Sequence, residues 1–148
     1  GLYSSADGTV PSLDDIRKID RNRQPPEDGG LMSELLWSDP QAMPGRMPSK
    51  RGIGFSFGPD VSEKFLKKNR PSMNLRSHEV KPQGYELHHG GTVATVFSAP
   101  NYCDQIGNQG AFVKFVGPEM KPNFITFEHT PHPAVPPMAF APMNLFGL

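Results

Sequence analysis

The sequence predicts a mixed α/β fold on three observations. Apolar residues recur at helical spacing in the first half of the chain, and from Gly84 onward the period changes to the two that is typical of strands. The 15 glycines and 17 prolines among 148 residues indicate many turns and long loops. Helices that precede a run of antiparallel strands favour an α+β or layered α/β architecture over a helical bundle.

Three segments of the first half are predicted to form short buried elements. Residues 13–22 have apolar side chains at helical spacing, with Ser12 as a candidate N-cap and aspartates in the first turn. Residues 31–37 are apolar enough for a short buried helix or strand. Residues 61–69 form a helix that opens at Gly58-Pro59-Asp60. Between the last two segments, residues 41–52 are predicted to be a loop rich in proline, glycine and basic residues.

The second half is predicted to be a run of strands. The pattern places them at residues 85–87, 92–98, 111–116 and 123–128, with a loop of turn-forming residues at 99–110. After Thr130 prolines are so frequent that an extended tail is expected. The predicted division is therefore a folded part, residues 1–130, followed by a proline-rich extended tail, residues 131–148.

Composition excludes several classes of protein. Lys+Arg and Asp+Glu both number 15, so net charge gives no indication of a nucleic-acid or membrane partner. The single cysteine, Cys103, cannot form an intramolecular disulfide, which fits a cytoplasmic or nuclear location. No apolar run approaches the roughly 20 residues of a membrane span. The start at Gly1, without a methionine or a leader, suggests a fragment of a larger protein.

The residues with catalytic potential are few. His78 lies in Arg-Ser-His-Glu, Arg51 follows Lys50 in a basic loop, and Tyr102 lies in a turn-rich loop. Taken alone, each of these has an equally simple structural explanation. No two histidines have the spacing of a metal-ligand pair, and one cysteine cannot build a structural zinc site. From composition and spacing alone, the chain is a soluble mixed α/β fragment.

Four strings in a fixed order indicate more. They are Leu-Leu-Trp-Ser-Asp-Pro (35–40), Arg-Gly-Ile-Gly-Phe-Ser-Phe-Gly (51–58), Arg-Ser-His-Glu-Val (76–80) and Ser-Ala-Pro-Asn-Tyr-Cys (98–103). Together they resemble the C-terminal half of the catalytic domain in the phosphoprotein phosphatase family, the metal-dependent serine/threonine phosphatases. The resemblance extends to about Glu128. The strings Trp-Ser-Asp-Pro-Gln and Gly-Tyr-Glu-Leu-His-His-Gly-Gly resemble the type 5 branch of that family.

The resemblance implies a fold and a chemistry. The fold is the C-terminal half of a metallophosphoesterase-type β-sandwich flanked by helices. In this family two divalent metal ions (Mn, Fe or Zn) about 3.5–4 Å apart activate a water that attacks the phosphorus of phosphoserine or phosphothreonine. His78 resembles a metal ligand, Arg51 an arginine that clamps the phosphate, and Tyr102 a tyrosine of the substrate groove. Phe97 and Cys103 would flank that tyrosine in the substrate and inhibitor groove.

The resemblance also implies an incomplete site. The family strings Gly-Asp-x-His-Gly, Gly-Asp-x-x-Asp-Arg-Gly and Gly-Asn-His-Glu, which carry most metal ligands, do not occur in the sequence. The expected partners are therefore an N-terminal half of the catalytic domain and phosphoprotein substrates. The type 5 branch adds an N-terminal tetratricopeptide domain that docks on a heat-shock chaperone. Two readings stay open: part of a phosphatase that is inactive alone, or a truncated, non-catalytic binding module.

One segment departs from the family pattern. Residues 71–75, Pro-Ser-Met-Asn-Leu, stand where the family has an apolar strand before Arg-Ser-His. Ser72 and Asn74 would place polar groups in a buried strand, which costs free energy unless these groups are hydrogen-bonded.

Overall fold

The computed structural model describes residues 8–25, 30–131 and 133–134. Within these ranges lie three α-helices: α1 (Leu13–Arg17), α2 (Leu31–Trp37) and α3 (Pro59–Asn69). The strands are β1 (Asp39–Pro40), β2 (Arg46–Pro48), β3 (Phe55–Phe57), β4 (Asn74–Arg76), β5 (Tyr85–His88), β6 (Val93–Val96), β7 (Gly110–Lys114) and β8 (Asn123–Phe127). Two single 3₁₀ turns, His89–Gly91 and Tyr102–Asp104, complete the set. The mixed α/β class predicted from the sequence is confirmed.

The strands form three small sheets. In the first, β3 lies between β1, which runs parallel to it, and the antiparallel β2. In the second, β6 lies between the parallel β4 and the antiparallel β5. The third is the antiparallel hairpin of β7 and β8. Backbone hydrogen bonds from Phe97 to Gly84 and from Ala111 to Phe97 join the second sheet to the start of β7.

Helix α1 is shorter than predicted. Its start is as expected, because Ser12 caps it and exchanges hydrogen bonds with Asp15 in a capping box. It ends at Arg17 and not at residue 22. Beyond Lys18 the chain turns, and the carboxylate of Asp20 accepts a hydrogen bond from the backbone of Asn22. Such local side-chain bonds compete with helix continuation.

Helix α3 carries the main apolar core. Pro59 occupies its first turn, and Arg70 closes it in the left-handed conformation. Val61 and Phe65, one turn apart, pack with three residues from other segments in one buried cluster: Val10, Phe57 and Val93. The core thus joins α3 to the first and second sheets.

The first sheet was not predicted from the sequence. Strand β2 lies inside residues 41–52, which were predicted to be loop, and β1 and β3 were not assigned. These strands are only two or three residues long, too short for an alternating pattern to be recognised. The strand predicted at 92–98 is limited to Val93–Val96, and residues 31–37 are helical.

The departure at residues 71–75 has the expected cost. Asn74 lies in β4, and its side-chain amide nitrogen is buried and has no hydrogen-bond partner within the part of the chain that the structure describes. The predicted tail lies mostly outside the described residues. Among those that are described, no helix is long and apolar enough to cross a membrane.

Candidate functional site

The candidate site is built around Asp39, the first residue of β1. Helix α2 ends at Trp37, and the hydroxyl of the buried Ser38 accepts a hydrogen bond from the Phe55 backbone at 3.1 Å. Gly54 has a φ of +72°, and a Cβ there would lie 3.0 Å from the carbonyl carbon of Trp37. Only glycine combines this conformation with so close an approach. The chain before β3 is therefore packed tightly against the end of α2.

Two arginines share the carboxylate of Asp39. Arg76 donates from Nη2 to Oδ1 at 2.6 Å, and Arg51 donates from Nε to Oδ2 at 2.8 Å. The two guanidinium groups differ in burial, because the Arg76 side chain is 3% exposed and that of Arg51 is 36% exposed. Each oxygen of Asp39 thus holds a different arginine, one inside the protein and one at its surface.

Further acceptors surround Arg76. Its Nη1 donates to Glu79 at 2.6 Å and to the hydroxyl of Thr95 at 2.9 Å, and Nη2 also reaches the carbonyl of Ser38 at 3.4 Å. Two carboxylates and two neutral oxygens therefore compensate its buried charge. Only Nε lacks a partner among the described residues.

A cleft of about 420 Å³ opens beside Arg51. Its walls come from the end of β1, the loop before β3 and β3 itself, and comprise Asp39, Pro40, Gln41, Ser49, Lys50, Arg51, Ser56 and Glu79. Within the described part of the chain, Nη1 of Arg51 makes no hydrogen bond, so this donor remains available for a ligand. Both acidic residues of the wall are already paired with arginines. An anion would therefore meet Arg51 and Lys50 without an opposing free carboxylate.

His78 lies next to Arg51. Nη2 of Arg51 donates to the backbone carbonyl of His78 at 3.4 Å. The Nδ1 of His78 lies 2.8 Å from the carbonyl oxygen of Leu36, and the imidazole lies 4.9 Å from the Trp37 ring. A carbonyl oxygen only accepts, so Nδ1 carries a proton, and in the neutral imidazole Nε2 keeps its lone pair. A neutral imidazole fixed in this tautomer suits a metal ligand.

The backbone of His78 has a φ of +95°, a conformation that residues other than glycine rarely adopt. The side chain is exposed. No group of three or more His, Cys, Asp or Glu side chains that could hold a metal occurs in the described ranges. A metal at His78 would therefore need ligands from elsewhere.

Two of the residues predicted to line the substrate groove, Phe97 and Tyr102, contact each other. The rings of Phe97 and Tyr102 meet edge to face with centroids 5.0 Å apart, and Tyr102 and Cys103 are exposed. Among the described contacts, no hydrogen bond, ion pair or ring contact joins Tyr102 to Arg51 or His78. The structure therefore brings Arg51 and His78 into contact, and it brings Phe97 into contact with Tyr102; we call Phe97, Tyr102 and Cys103, the neighbour of Tyr102 in the chain, the second cluster.

Asn108 holds the loop of that second cluster. Its side-chain oxygen accepts from the Tyr102 backbone at 2.8 Å, and its amide donates to the carbonyls of Ala99 and Gln109. Asn108 is 3% exposed. These hydrogen bonds offset the strain of a loop in which Asn101, Cys103 and Asp104 all have positive φ.

The remaining histidines of the second sheet are structural. His89 contacts the Ser62 hydroxyl at 2.7 Å through Nδ1 and the Gln41 carbonyl at 2.8 Å through Nε2, so both ring nitrogens are occupied. Burial lowers the pKa of His88, whose Nε2 lies 3.2 Å from the Thr95 hydroxyl. His88 is thus connected to Arg76 through Thr95.

Sequence reasoning missed Asp39, Arg76, Thr95 and Asn108. Asp39 and Arg76 lie inside the strings that carried the resemblance. The one feature that could have identified them is an arginine at a buried position, which needs an acidic partner. Nothing in the sequence marks Thr95 or Asn108. Thr95 meets Arg76 through strand pairing, and Asn108 meets its partners because the loop folds back on itself.

Comparisons with known proteins show the family of the chain. The family model of the calcineurin-like phosphoesterases matches residues 1–82, more than half of the chain. Serine/threonine-protein phosphatase 5 of Solanum lycopersicum is 61% identical over 141 residues, which is 95% of this chain and 25% of the relative. Serine/threonine-protein phosphatase T of Trypanosoma brucei brucei is 59% identical over 149 residues and 30% of its own length.

A solved structure gives the same result. A serine/threonine phosphatase from Saccharomyces cerevisiae with similarity to human phosphatase PP5 superposes with a TM-score of 0.80 at 40% identity. The match covers 95% of this chain and 46% of the yeast chain. The chain spans between a quarter and a third of the curated relatives it matches. The resemblance drawn from the four strings is confirmed, and the chain belongs to the calcineurin-like phosphoesterase family.

Proposed function

We propose that this chain supplies a phosphate-binding arginine and a metal ligand to the active site of a protein serine/threonine phosphatase. The observation that carries the proposal is the contact between Arg51 and His78, from Nη2 to the carbonyl oxygen at 3.4 Å. Arg51 lines the cleft, and its guanidinium contacts the backbone of a histidine whose neutral imidazole keeps the lone pair of Nε2. The reaction is the hydrolysis of phosphoserine and phosphothreonine.

Each residue of this half-site has a definite task. Arg51 binds the phosphate through donors that face the cleft, and its fixed charge compensates the charge that develops on the phosphate oxygens. His78 holds a metal through Nε2 while Leu36 fixes its tautomer. Divalent ions, for which manganese, iron and zinc all suit an imidazole ligand, supply an activated water when bound. Tyr102, Phe97 and Cys103 form a wall that contacts the substrate or an inhibitor.

The partners follow from the same argument. His78 cannot hold two ions by itself, so the other ligands come from an N-terminal half of the catalytic domain. Phosphoproteins are the substrates. The likeness to type 5 phosphatases supports a tetratricopeptide domain and a heat-shock chaperone as further partners, with a cytoplasmic or nuclear location. Residues 1–130 would belong to the catalytic domain, and residues 131–148 would form its tail.

The test is an assay of the complete gene product that contains this chain. It should release phosphate from a phosphoserine peptide, lose that activity in a chelator, and regain it when a divalent metal is added back. Inorganic phosphate should inhibit competitively. Chelator-insensitive activity, or a protein that binds phosphopeptides without hydrolysing them, would contradict the proposal; the second result would favour a non-catalytic binding module.

A further inference from the structure

We propose that Asp39 and Arg76 are positioning residues that set the orientation of the Arg51 guanidinium toward the cleft. The inference rests on the proposed function, in which Arg51 binds the substrate phosphate. Its basis is the shared carboxylate: Oδ1 of Asp39 is 2.6 Å from Arg76, and Oδ2 is 2.8 Å from Arg51.

The buried end of this arrangement is held by several hydrogen bonds. Arg76 ends β4, which pairs in parallel with β6 so that Arg76 lies opposite Thr95. Bonds to Glu79, Thr95 and the Ser38 carbonyl hold its guanidinium from three directions. Asp39 itself is anchored, because β1 pairs with β3 and Asp39 lies opposite Ser56. The Oδ2 atom is therefore presented at a fixed point.

The position of Asp39 in turn sets the position of the Arg51 guanidinium at the exposed end. Arg51 lies in the turn between β2 and β3, next to Gly52, and has a long side chain, which alone would sample many rotamers. The bond from Nε to Asp39 and the bond from Nη2 to the His78 carbonyl fix the guanidinium plane at two points. Arg51 lines the cleft, and among the described residues its Nη1 has no hydrogen-bond acceptor. Asp39 also pairs with Arg76, so it holds Arg51 without presenting an uncompensated negative charge to an incoming phosphate.

The experiment is a double-mutant cycle in the complete gene product, with inorganic phosphate as the probe. The inhibition constant of phosphate is measured for wild type, Arg51→Ala, Asp39→Asn and the double variant, together with kcat and KM for p-nitrophenyl phosphate. Asp39→Asn should raise the inhibition constant roughly tenfold, and it should change it by less than about twofold when Arg51 is already alanine. Bound metal should stay as in wild type.

A variant of another buried ion pair serves as the control. Glu34 pairs with Arg46 at 3.1 Å and is buried to a similar degree, but it does not line the cleft. Glu34→Gln should leave the phosphate inhibition constant unchanged. An equal rise in this variant would mean that loss of any buried pair, and not loss of positioning, weakens phosphate binding.

The outcomes separate the two proposals. If Arg51→Ala leaves phosphate inhibition unchanged, the role of Arg51 in the proposed function is wrong. If Arg51→Ala weakens inhibition but Asp39→Asn has no effect, or the two effects multiply, the positioning role is wrong and the proposed function stands. Should Asp39→Asn not fold because Arg76 is left buried without its counter-charge, Asp39→Glu decides. Its longer side chain cannot keep both bonds, so phosphate inhibition as in wild type would overturn the inference.

Discussion

The Nδ1 of His78 donates a hydrogen bond to the carbonyl oxygen of Leu36 at 2.8 Å. Leu36 lies in the last turn of α2, so the helix fixes the tautomer of an imidazole 42 residues further along the chain. His78 is therefore held through its ring nitrogen Nδ1. Arg51 differs, because it is held by hydrogen bonds that its guanidinium and its backbone N–H donate.

Substitution of the two residues in the complete gene product should therefore affect different properties, metal affinity for His78 and phosphate binding for Arg51. His78→Asn removes the lone pair of Nε2 and should lower metal affinity by roughly 10- to 100-fold. Arg51→Ala removes phosphate donors and should weaken phosphate binding and turnover while metal content stays normal. Metal analysis after gel filtration and kinetics with excess metal distinguish the two.

The exposed Arg17 of α1 provides the control for that comparison. Its one ion pair with a described residue is to Asp14 on the same helix, so Arg17→Ala should leave both metal content and turnover unchanged. Equal metal content in the His78 and Arg51 variants would contradict the assigned roles.

The 148-residue chain on its own should have no manganese-stimulated activity on an aryl phosphate. A catalytic two-metal centre needs several ligands, and the described residues contain no cluster that could hold even one ion. The measurement is release of nitrophenol with and without chelator, in a preparation shown to be free of contaminating phosphatases. Turnover above buffer that the chelator abolishes would sink this expectation.

The sequence indicated two residues of the candidate site but not the residues that hold them in place. His78 and Arg51 could be found because short strings carry them, and the structure places them in contact. The shared carboxylate of Asp39 could not be found, because it depends on two parallel pairings between strands of two to four residues. The core also depends on contacts between distant segments, since Val93 of β6 is fully buried in one cluster with Val61 and Phe65 of α3.

Acid should destabilise the second sheet through His88. Burial, the largest cause, lowers the pKa of His88 from its ordinary 6.5, while Glu86 opposes this shift. The folded state therefore binds a proton less readily than the unfolded chain. Stability from this group is present above pH 6.5 and is lost as pH falls from 6.5 toward the lower folded pKa.

The check is thermal unfolding of the complete gene product at about pH 7.5 and pH 5.5. His88→Gln should flatten the difference between the two midpoints. Glu86, whose bond to Lys81 lowers its carboxyl pKa, adds acid sensitivity only below its ordinary 4.5 and does not interfere in this window. An unchanged pH dependence in the His88 variant would show that other groups set it.

Gly84→Ala should disrupt the junction between the second sheet and the hairpin. Gly84 has a φ of +76°, and a Cβ would lie 2.5 Å from the carbonyl carbon of Gly110 and 2.6 Å from the backbone nitrogen of Ala111. Both neighbours are backbone atoms, so neither can rotate away. Gly107→Ala is the matched control, since its φ is +69° but a Cβ would meet nothing within 4 Å.

The free energy of unfolding of the Gly107 variant should fall only by the conformational cost, about 1–2 kcal/mol. That of the Gly84 variant should fall clearly further. Unfolding midpoints of the two proteins measure the difference. Equal losses would mean that the close approach at Gly84 relaxes without cost.

The isolated 148-residue chain should be poorly folded. The hairpin of β7 and β8 pairs, within the described residues, with no third strand, and two-stranded sheets are marginal in water. Its outer surface is apolar: Phe112 is 48% exposed, Phe115 40% and Phe127 37%. The unpaired Asn74 amide further weakens the strand that precedes His78. No metal can add binding free energy to folding while most ligands are missing.

Aggregation, or a broad and non-cooperative thermal transition, is therefore expected for the chain alone. Adding the N-terminal half of the catalytic domain in trans should sharpen the transition, because it would cover these phenylalanines and complete the metal site. Size-exclusion chromatography, differential scanning calorimetry and amide proton dispersion measure these properties. A monomer with a single sharp transition and well-dispersed resonances would refute the expectation, and would favour a binding module that functions independently of a phosphatase.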